Sequence, residues 1–393
     1  MGILPVISMT MTFGTESIMK YTLRASAILF ALAFTYLASC SSGSSQNGSS
    51  DESVEPDAPA DDIGQPAVEE SVQVVSSCDV AQTFPSPTSC QKLRVRCESG
   101  LEGVAELRIT PPPPEMALKA TVTMHSGGHG VNFFAGANPD EGDPGLHTVR
   151  QLAMEGFRVV ERRWVDGWFG DHYPGQGVAE PSCLGGVLLR WVAEQSEDAA
   201  LCAFGNSGGS AEIGYALTRW GAADMLEAAI LSGGPPMARL DVGCLGESVD
   251  EEWRTQCAQL WEETQKDCPP QQFPEPHCTL TDREIAAGPL MLDAAFAAEP
   301  GRSPCTGADS TMAQQFFSDS ILNGQALLNY PETDVHFLIG AQDCTEAPIL
   351  GYLYYDAIDS SKSLSNPTNT RHVIQSTPDG VTALLEAIST YCH

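Results

Sequence analysis

The order of elements in this sequence predicts an α/β fold, a mainly parallel sheet with helices on both faces, on two observations. Short apolar runs recur at Ala120–Met124, Phe157–Val160, Ala199–Phe204, Ala228–Leu231, Val335–Ile339 and His372–Ile374. Continuous runs of this length suit strands buried on both faces. Segments with helical spacing lie between several of them, at His147–Glu155, Leu184–Glu194 and Ala211–Trp220, with a last one at Val381–Ile388. Alternating strands and helices join parallel neighbours by crossovers, which place helices on both faces. The opening is different. Gln91–Cys97 and Val104–Ile109 alternate apolar and polar residues around Glu98-Ser99-Gly100, which reads as a hairpin, and Pro111–Pro114 end it.

The interval between Ser232 and Asp334 breaks the rhythm. It holds five cysteines, several prolines and patchy helical periodicity around Trp253–Trp261 and Ile285–Phe296. We read about 235–333 as an insertion over the top of the sheet, stapled by disulfides. Five is an odd number, so at least one cysteine must pair outside the insertion or stay free, and Cys344 is a plausible partner. Zinc is the alternative for Cys244, Cys257, Cys268, Cys278 and Cys305, but no C-x-x-C pair occurs. No internal repeat or heptad run is present.

Before the domain, Lys20 and Arg24 precede the apolar run Ala25–Leu37, closed by Leu37-Ala38-Ser39-Cys40. The run is too short for a stable membrane-spanning helix. The tetrad resembles the lipobox of bacterial lipoproteins, in which cleavage precedes a cysteine that then carries lipid. The resemblance implies a signal peptide over 1–39 and a membrane attachment point at Cys40; the residues before Met19 do not fit a positive n-region and Glu16 opposes one, so translation is expected to start at Met19. Residues 40–77 follow as a Ser-, Gly-, Pro- and acid-rich stretch; from Ser41 to Ser77 there are eight acidic residues and no Lys or Arg. Such composition reads as a disordered tether, leaving residues 78–393 for one domain with its insertion.

The chain carries 51 acidic and 20 basic residues, a formal charge of −31. This argues against nucleic acid as a partner and against an electrostatic hold on anionic lipid. Setting Cys40 aside from the 13 cysteines leaves an even number. In a chain that looks exported, disulfides are the simplest reading.

Chemistry concentrates at Gly205-Asn206-Ser207-Gly208-Gly209. It fits G-x-S-x-G between an apolar strand and a helix, where a sharp turn exposes the serine hydroxyl. The letters also resemble the G-D-S-G-G-P of chymotrypsin-like proteases. That fold is all-β, with histidine and aspartate before a serine near the C-terminus; here a helix follows Ser207 and the chain runs on far beyond it. Asp343 follows the Val335–Ile339 run and the turn Gly340-Ala341-Gln342, and His372 comes later, before Thr377-Pro378-Asp379-Gly380. The competitors are Asp241, Asp334 and Asp356 for the acid, and His336 and His393 for the base. His125-Ser126-Gly127-Gly128-His129-Gly130 follows the Ala120–Met124 run. A metal site at His125 and His129 is disfavoured, because the glycines between them oppose the helix that would bring i and i+4 together.

In this order the residues resemble the α/β-hydrolase family over roughly Leu93 to Ile388. The resemblance implies Ser207 as nucleophile, Asp343 as acid and His372 as base, because a serine hydroxyl needs an imidazole to take its proton and a carboxylate to orient that imidazole. It also matches 125–130 to the H-G-G-G oxyanion loop, with Ser126 replacing a glycine. The backbone N–H of Gly127 or Gly128 and that of Gly208 would be the oxyanion donors. Trp164 and Trp168, expected in a loop beyond a strand end, are candidates for lining an acyl or sugar subsite. No cofactor or metal is called for. The function implied is ester hydrolysis through an acyl-serine at a membrane-tethered surface, with a peptidase of the same fold or a non-catalytic binding protein as alternatives.

Overall fold

The computed structural model of this chain describes residues 69–196, 199–265, 267–269, 272, 275–280, 287–297, 299 and 301–393. The signal segment, Cys40 and residues 40–68 of the expected tether lie outside them. Three antiparallel strands open the sheet: β1 (Ser71–Ser77), β2 (Ser89–Arg96) and β3 (Glu102–Thr110). The β2–β3 pair is the hairpin that the alternating pattern predicts, with Ser89 opposite Ile109 and Arg96 opposite Glu102. β1 corrects a boundary, because it places ordered structure inside 40–77. It has almost no buried face, and Val74 and Val75 are exposed. Backbone pairing with β2 and the Cys78–Cys90 disulfide hold it, and composition reports neither.

After the prolines the chain alternates. β4 (Ala120–His125), α1 (Pro144–Met154), β5 (Phe157–Trp164), α2 (Cys183–Gln195), β6 (Ala200–Asn206), α3 (Gly208–Arg219) and β7 (Ala228–Ser232) follow in turn. The insertion then contributes α4 (Leu240–Leu245), α5 (Trp253–Thr264), α6 (Ala287–Phe296) and α7 (Ala313–Asp319). β8 (Asp334–Leu338), α8 (Ala347–Ala357), β9 (Lys362–Ser365) and α9 (Pro378–Tyr391) complete the chain. The sheet order is β1-β2-β3-β5-β4-β6-β7-β8-β9. β3 pairs antiparallel with β5, and every pair from β5 to β9 is parallel. This is the α/β-hydrolase type of sheet.

β6 shows why the central strands read as unbroken apolar runs. Leu201 and Ala203 join the core beneath α2 and α3, while Cys202 and Phe204 join a second core with α1 and α9. Both faces are covered, so no position is free to be polar. Burying each large apolar side chain contributes roughly 1.5–3 kcal/mol. α9 supplies Leu384 and Ile388 to its core, and its start is set by Thr377, whose hydroxyl accepts from the Gly380 N–H while Pro378 occupies the first turn.

The last strand is β9, not the His372–Ile374 run, which lies in a bend leading to a short 3-10 turn at Ile374–Ser376. The reading of that run as a strand is therefore corrected. β9 is an edge strand of half-buried Lys362-Ser363-Leu364-Ser365, so it carries no apolar run to betray it. The five insertion cysteines are paired: Cys244 with Cys305, Cys257 with Cys278, and Cys268 outward with Cys344. Cys97–Cys183 and Cys202–Cys392 cross-link the body of the domain.

Candidate active site

β6 ends at Asn206 and α3 begins at Gly208, so Ser207 alone makes the turn, with φ 55° and ψ −119°. A non-glycine residue held at such angles costs about 1–3 kcal/mol. Surrounding bonds over-determine it. Its N–H donates to the Ser232 carbonyl at 2.8 Å, and its own carbonyl accepts from the Ala211 N–H at 3.1 Å and the Ser210 hydroxyl at 2.5 Å. Close approach explains two of the motif's glycines. A Cβ on Gly205 would lie 2.4 Å from the Gly209 backbone, and one on Gly208 only 1.9 Å from the Gly128 carbonyl oxygen.

Asp343 sits in the loop after β8, buried, and His372 Nδ1–H donates to its Oδ2 at 2.8 Å. The other carboxylate oxygen, Oδ1, accepts from the Thr345 hydroxyl at 2.8 Å. Gln265, at the end of α5, donates through Nε2 to the carbonyls of Asp343 at 2.5 Å and Thr345 at 3.0 Å. Thus the insertion braces the acid loop from above, while Cys268–Cys344 ties it covalently. Asn206 Oδ1 accepts from the Ile374 N–H at 3.2 Å and the Ser232 hydroxyl at 3.3 Å. One amide therefore joins the end of β6 to the segment carrying His372.

Ser207 and His372 line one cavity of about 270 Å³. Its walls are mostly apolar, with Met237 and Leu280, and with Met291 and Leu292 of α6. Gly128 also lines it. Gly127 lies against the serine, since a Cβ there would stand 3.2 Å from Ser207 Cβ. Gly208 is the first residue of α3, where an N–H has no acceptor within the helix and the helix dipole is positive. The turn 127–130 closes through the Gly130 N–H to the Gly127 carbonyl at 3.2 Å. The arrangement can present a hydroxyl, an oriented imidazole and backbone donors to one acyl group.

The structure does not bring the two tryptophans to this cavity. Trp164 is the last residue of β5 and Trp168 follows it, and both are fully buried in the core. Trp164 Nε1–H is used up on Glu212 Oε1 at 2.9 Å, so their expected role in lining a subsite is corrected to packing. Among the competing acids and bases, Asp241 is taken by a two-pronged ion pair with Arg239. Asp334 starts β8, Asp356 lies on α8, and His393 is exposed near Glu227. His125 is buried beside Glu212, whereas His129 Nδ1 lies 2.9 Å from Met291 Sδ. The two histidines of the glycine loop thus face different neighbours.

His336 lies within β8 and lines a separate cleft. Its ring stacks on Tyr391 and bonds Ser363 at 2.7 Å and Ser365 at 3.1 Å. Burial pushes its pKa down to about 4. The unfolded chain takes up a proton as pH falls through about 6.5, while the native form refuses it until about 4; stability is therefore present above this window and lost as pH falls across it, by up to about 3 kcal/mol. Urea unfolding at pH 7 and pH 4.5 should show a smaller acid loss in His336→Gln than in the parent protein. Equal losses would reject the assignment.

Sequence reasoning missed Gln265, Thr345 and Asn206. Each acts by a hydrogen bond to a residue distant in sequence or to a loop backbone, and no spacing announces that. No protein-family model and no curated protein matches the chain. Among solved structures, it is similar to brefeldin A esterase, a bacterial homologue of human hormone-sensitive lipase, at 15% identity, covering 80% of this chain and 79% of that one with a TM-score of 0.46. Est1E from Butyrivibrio proteoclasticus gives 11% identity, 76% and 96% coverage and a TM-score of 0.43. A thermophilic esterase from Thermogutta terrifontis gives 15% identity, 77% and 100% coverage and a TM-score of 0.41. The fold class stands on this chain's own strand order and crossovers.

Proposed function

We propose that this chain is a serine hydrolase that cleaves carboxylic esters through an acyl-serine intermediate. The observation that carries the reading is Ser207, held at a strained elbow, opening into the same cavity as a histidine oriented by a buried carboxylate. Ser207 Oγ attacks the ester carbonyl as His372 takes its proton. Asp343, bonded to Nδ1, holds the tautomer in which Nε2 is the nitrogen that accepts the serine proton, and it stabilises the imidazolium. The oxyanion receives the Gly208 N–H and that of Gly127 or Gly128. Collapse expels the alcohol, protonated by His372, and water then frees the acid by the same steps.

The small apolar cavity favours short, uncharged acyl groups, and the acidic chain disfavours anionic substrates. The test is a fluorophosphonate label mapped by mass spectrometry, alongside p-nitrophenyl esters and a panel of peptide amides. Label on Ser207 with ester turnover supports the reading. Turnover of peptides alone would replace it with a peptidase, and no label with no turnover would leave a binding protein.

Export and lipid anchoring are part of the same proposal. The disulfides support an oxidising compartment. Among the described residues no helix is long and apolar enough to cross a membrane. Cys40→Ser in the expressing cell should therefore move the protein from the detergent phase to the aqueous phase. Retention in the detergent phase would sink the tether.

A further inference from the structure

Beneath the candidate oxyanion turn lies a buried ionic cluster that the mechanism above leaves unused. Glu212 points from α3 to Arg162 of β5, which donates to its Oε2, and His125 Nδ1 lies 3.0 Å from the same oxygen. Trp164 Nε1–H takes the other carboxylate oxygen. All four side chains are buried. Burial pulls the Arg162 guanidinium and the His125 imidazole toward neutrality. It also pulls the Glu212 carboxyl upward, but the charges of Arg162 and His125 and the hydrogen bonds from His125 and Trp164 together hold that carboxyl below its ordinary value.

The cluster reaches both halves of the proposed oxyanion site. Arg162 Nη1–H donates to the Gly130 carbonyl at 3.0 Å, beside the Trp164 N–H at 2.8 Å. Gly130 closes the turn that carries Gly127 and Gly128. A Cβ on Gly130, where φ is +79°, would fall 2.1 Å from Arg162 Nη1, so the turn is pressed onto the guanidinium. Glu212 lies on α3, whose first residue is Gly208. One ion pair thus joins the turn bearing one donor to the helix bearing the other.

We propose that Arg162 and Glu212 are positioning residues that set the separation of the two oxyanion donors. The proposal rests on the hydrolase reading. It is more specific than a stabilising salt bridge, because a buried pair replaced by apolar groups of similar volume often leaves stability unchanged or raised. Stability and positioning can therefore be separated. A donor moved by a fraction of an ångström loses its hold on the oxyanion, which forms only in the transition state, so kcat should suffer and KM should not.

The test compares wild type with the double variant Arg162→Met/Glu212→Met, using an oxo-ester and its thionoester. Sulfur accepts hydrogen bonds weakly, so the thionoester depends less on the donors. The expected result is a folded protein whose kcat on the oxo-ester falls about 10²-fold, with KM within about threefold and a smaller fall on the thionoester. A kcat within about threefold of wild type overturns the proposal. So does an equal fall on both substrates, the mark of general damage. Should the double variant fail to fold, Arg162→Lys keeps a cation for Glu212 but has one nitrogen in place of the planar fork whose Nη1 and Nη2 reach the Gly130 carbonyl and Glu212 separately, and the same criteria apply. Failure of that variant to fold as well would make the pair a folding requirement and reject positioning. Wild-type protein that neither labels at Ser207 nor turns over any ester would sink the hydrolase reading, a result distinct from all of these.

Discussion

Ser207→Ala is expected to lower kcat for ester hydrolysis by roughly 10⁴-fold or more, with stability changed by less than about 1 kcal/mol. The substitution removes one oxygen from a half-buried position and leaves untouched the backbone bonds to Ser232 and Ala211 that hold the turn. His372→Ala and Asp343→Asn should each lose a comparable factor. The first removes the base, and the second offers Nδ1 an amide that cannot stabilise the imidazolium. Because the three act as a unit, Ser207→Ala/His372→Ala should be little worse than either single change. His336→Ala serves as the control, since His336 lines a different cleft. Activity that survives His372→Ala but not His336→Ala would show that the base has been misplaced, and undiminished turnover by pure Ser207→Ala would remove the nucleophile assignment.

The second large effect should follow loss of the Cys268–Cys344 bridge. It closes a separation of 76 residues, for which chain entropy alone gives about 4 kcal/mol of stabilisation. Its position matters more than its magnitude, because Cys344 adjoins Asp343 and Gln265 from the same part of the insertion holds the Asp343 carbonyl. Without the bridge the insertion holds the acid loop by noncovalent contacts such as those of Gln265. Cys268→Ser/Cys344→Ser should lose about tenfold or more in kcat at a denaturant concentration where far-UV circular dichroism remains native. Activity and circular dichroism melting together, at the parent's midpoint, would show that the bridge does not set the acid. The double variant is the sharper test than bulk reduction, which would also open Cys97–Cys183 and Cys202–Cys392 in the body of the domain.

Which parts of the molecule were legible in advance follows from burial. The central strands announce themselves because both faces are covered, so Leu201 through Phe204 are apolar without exception. β1 and β9 have one neighbour each and little buried face, so neither carries a long continuous apolar run and their pairing is written in backbone bonds that any sequence can make. The elbow was legible for a different reason. Backbone crowding at Gly205 and Gly208 admits no side chain, and a requirement for glycine leaves a mark that can be read. The tryptophans show the converse: an aromatic after a strand looks the same whether it turns outward to substrate or inward to the core, and Trp164 turns inward.

The sequence by itself indicated the alternation of elements, the glycine turn around Ser207, an order of nucleophile, acid and histidine with Asp343 and His372 as candidates, and the need for at least one insertion cysteine to pair elsewhere or stay free. These are local or arithmetic properties, set by burial period, by backbone crowding and by parity. Only the tertiary structure decided that Asp343 rather than Asp241 meets His372, that Gln265 reaches down to the acid loop, and that Arg162 and Glu212 join the glycine turn to α3. Each of these depends on a direction and a distance between segments far apart in the chain. A carboxylate paired with Arg239 and one paired with His372 are the same residue type in the sequence, and only the crossing of β-strand ends and loops in space tells them apart.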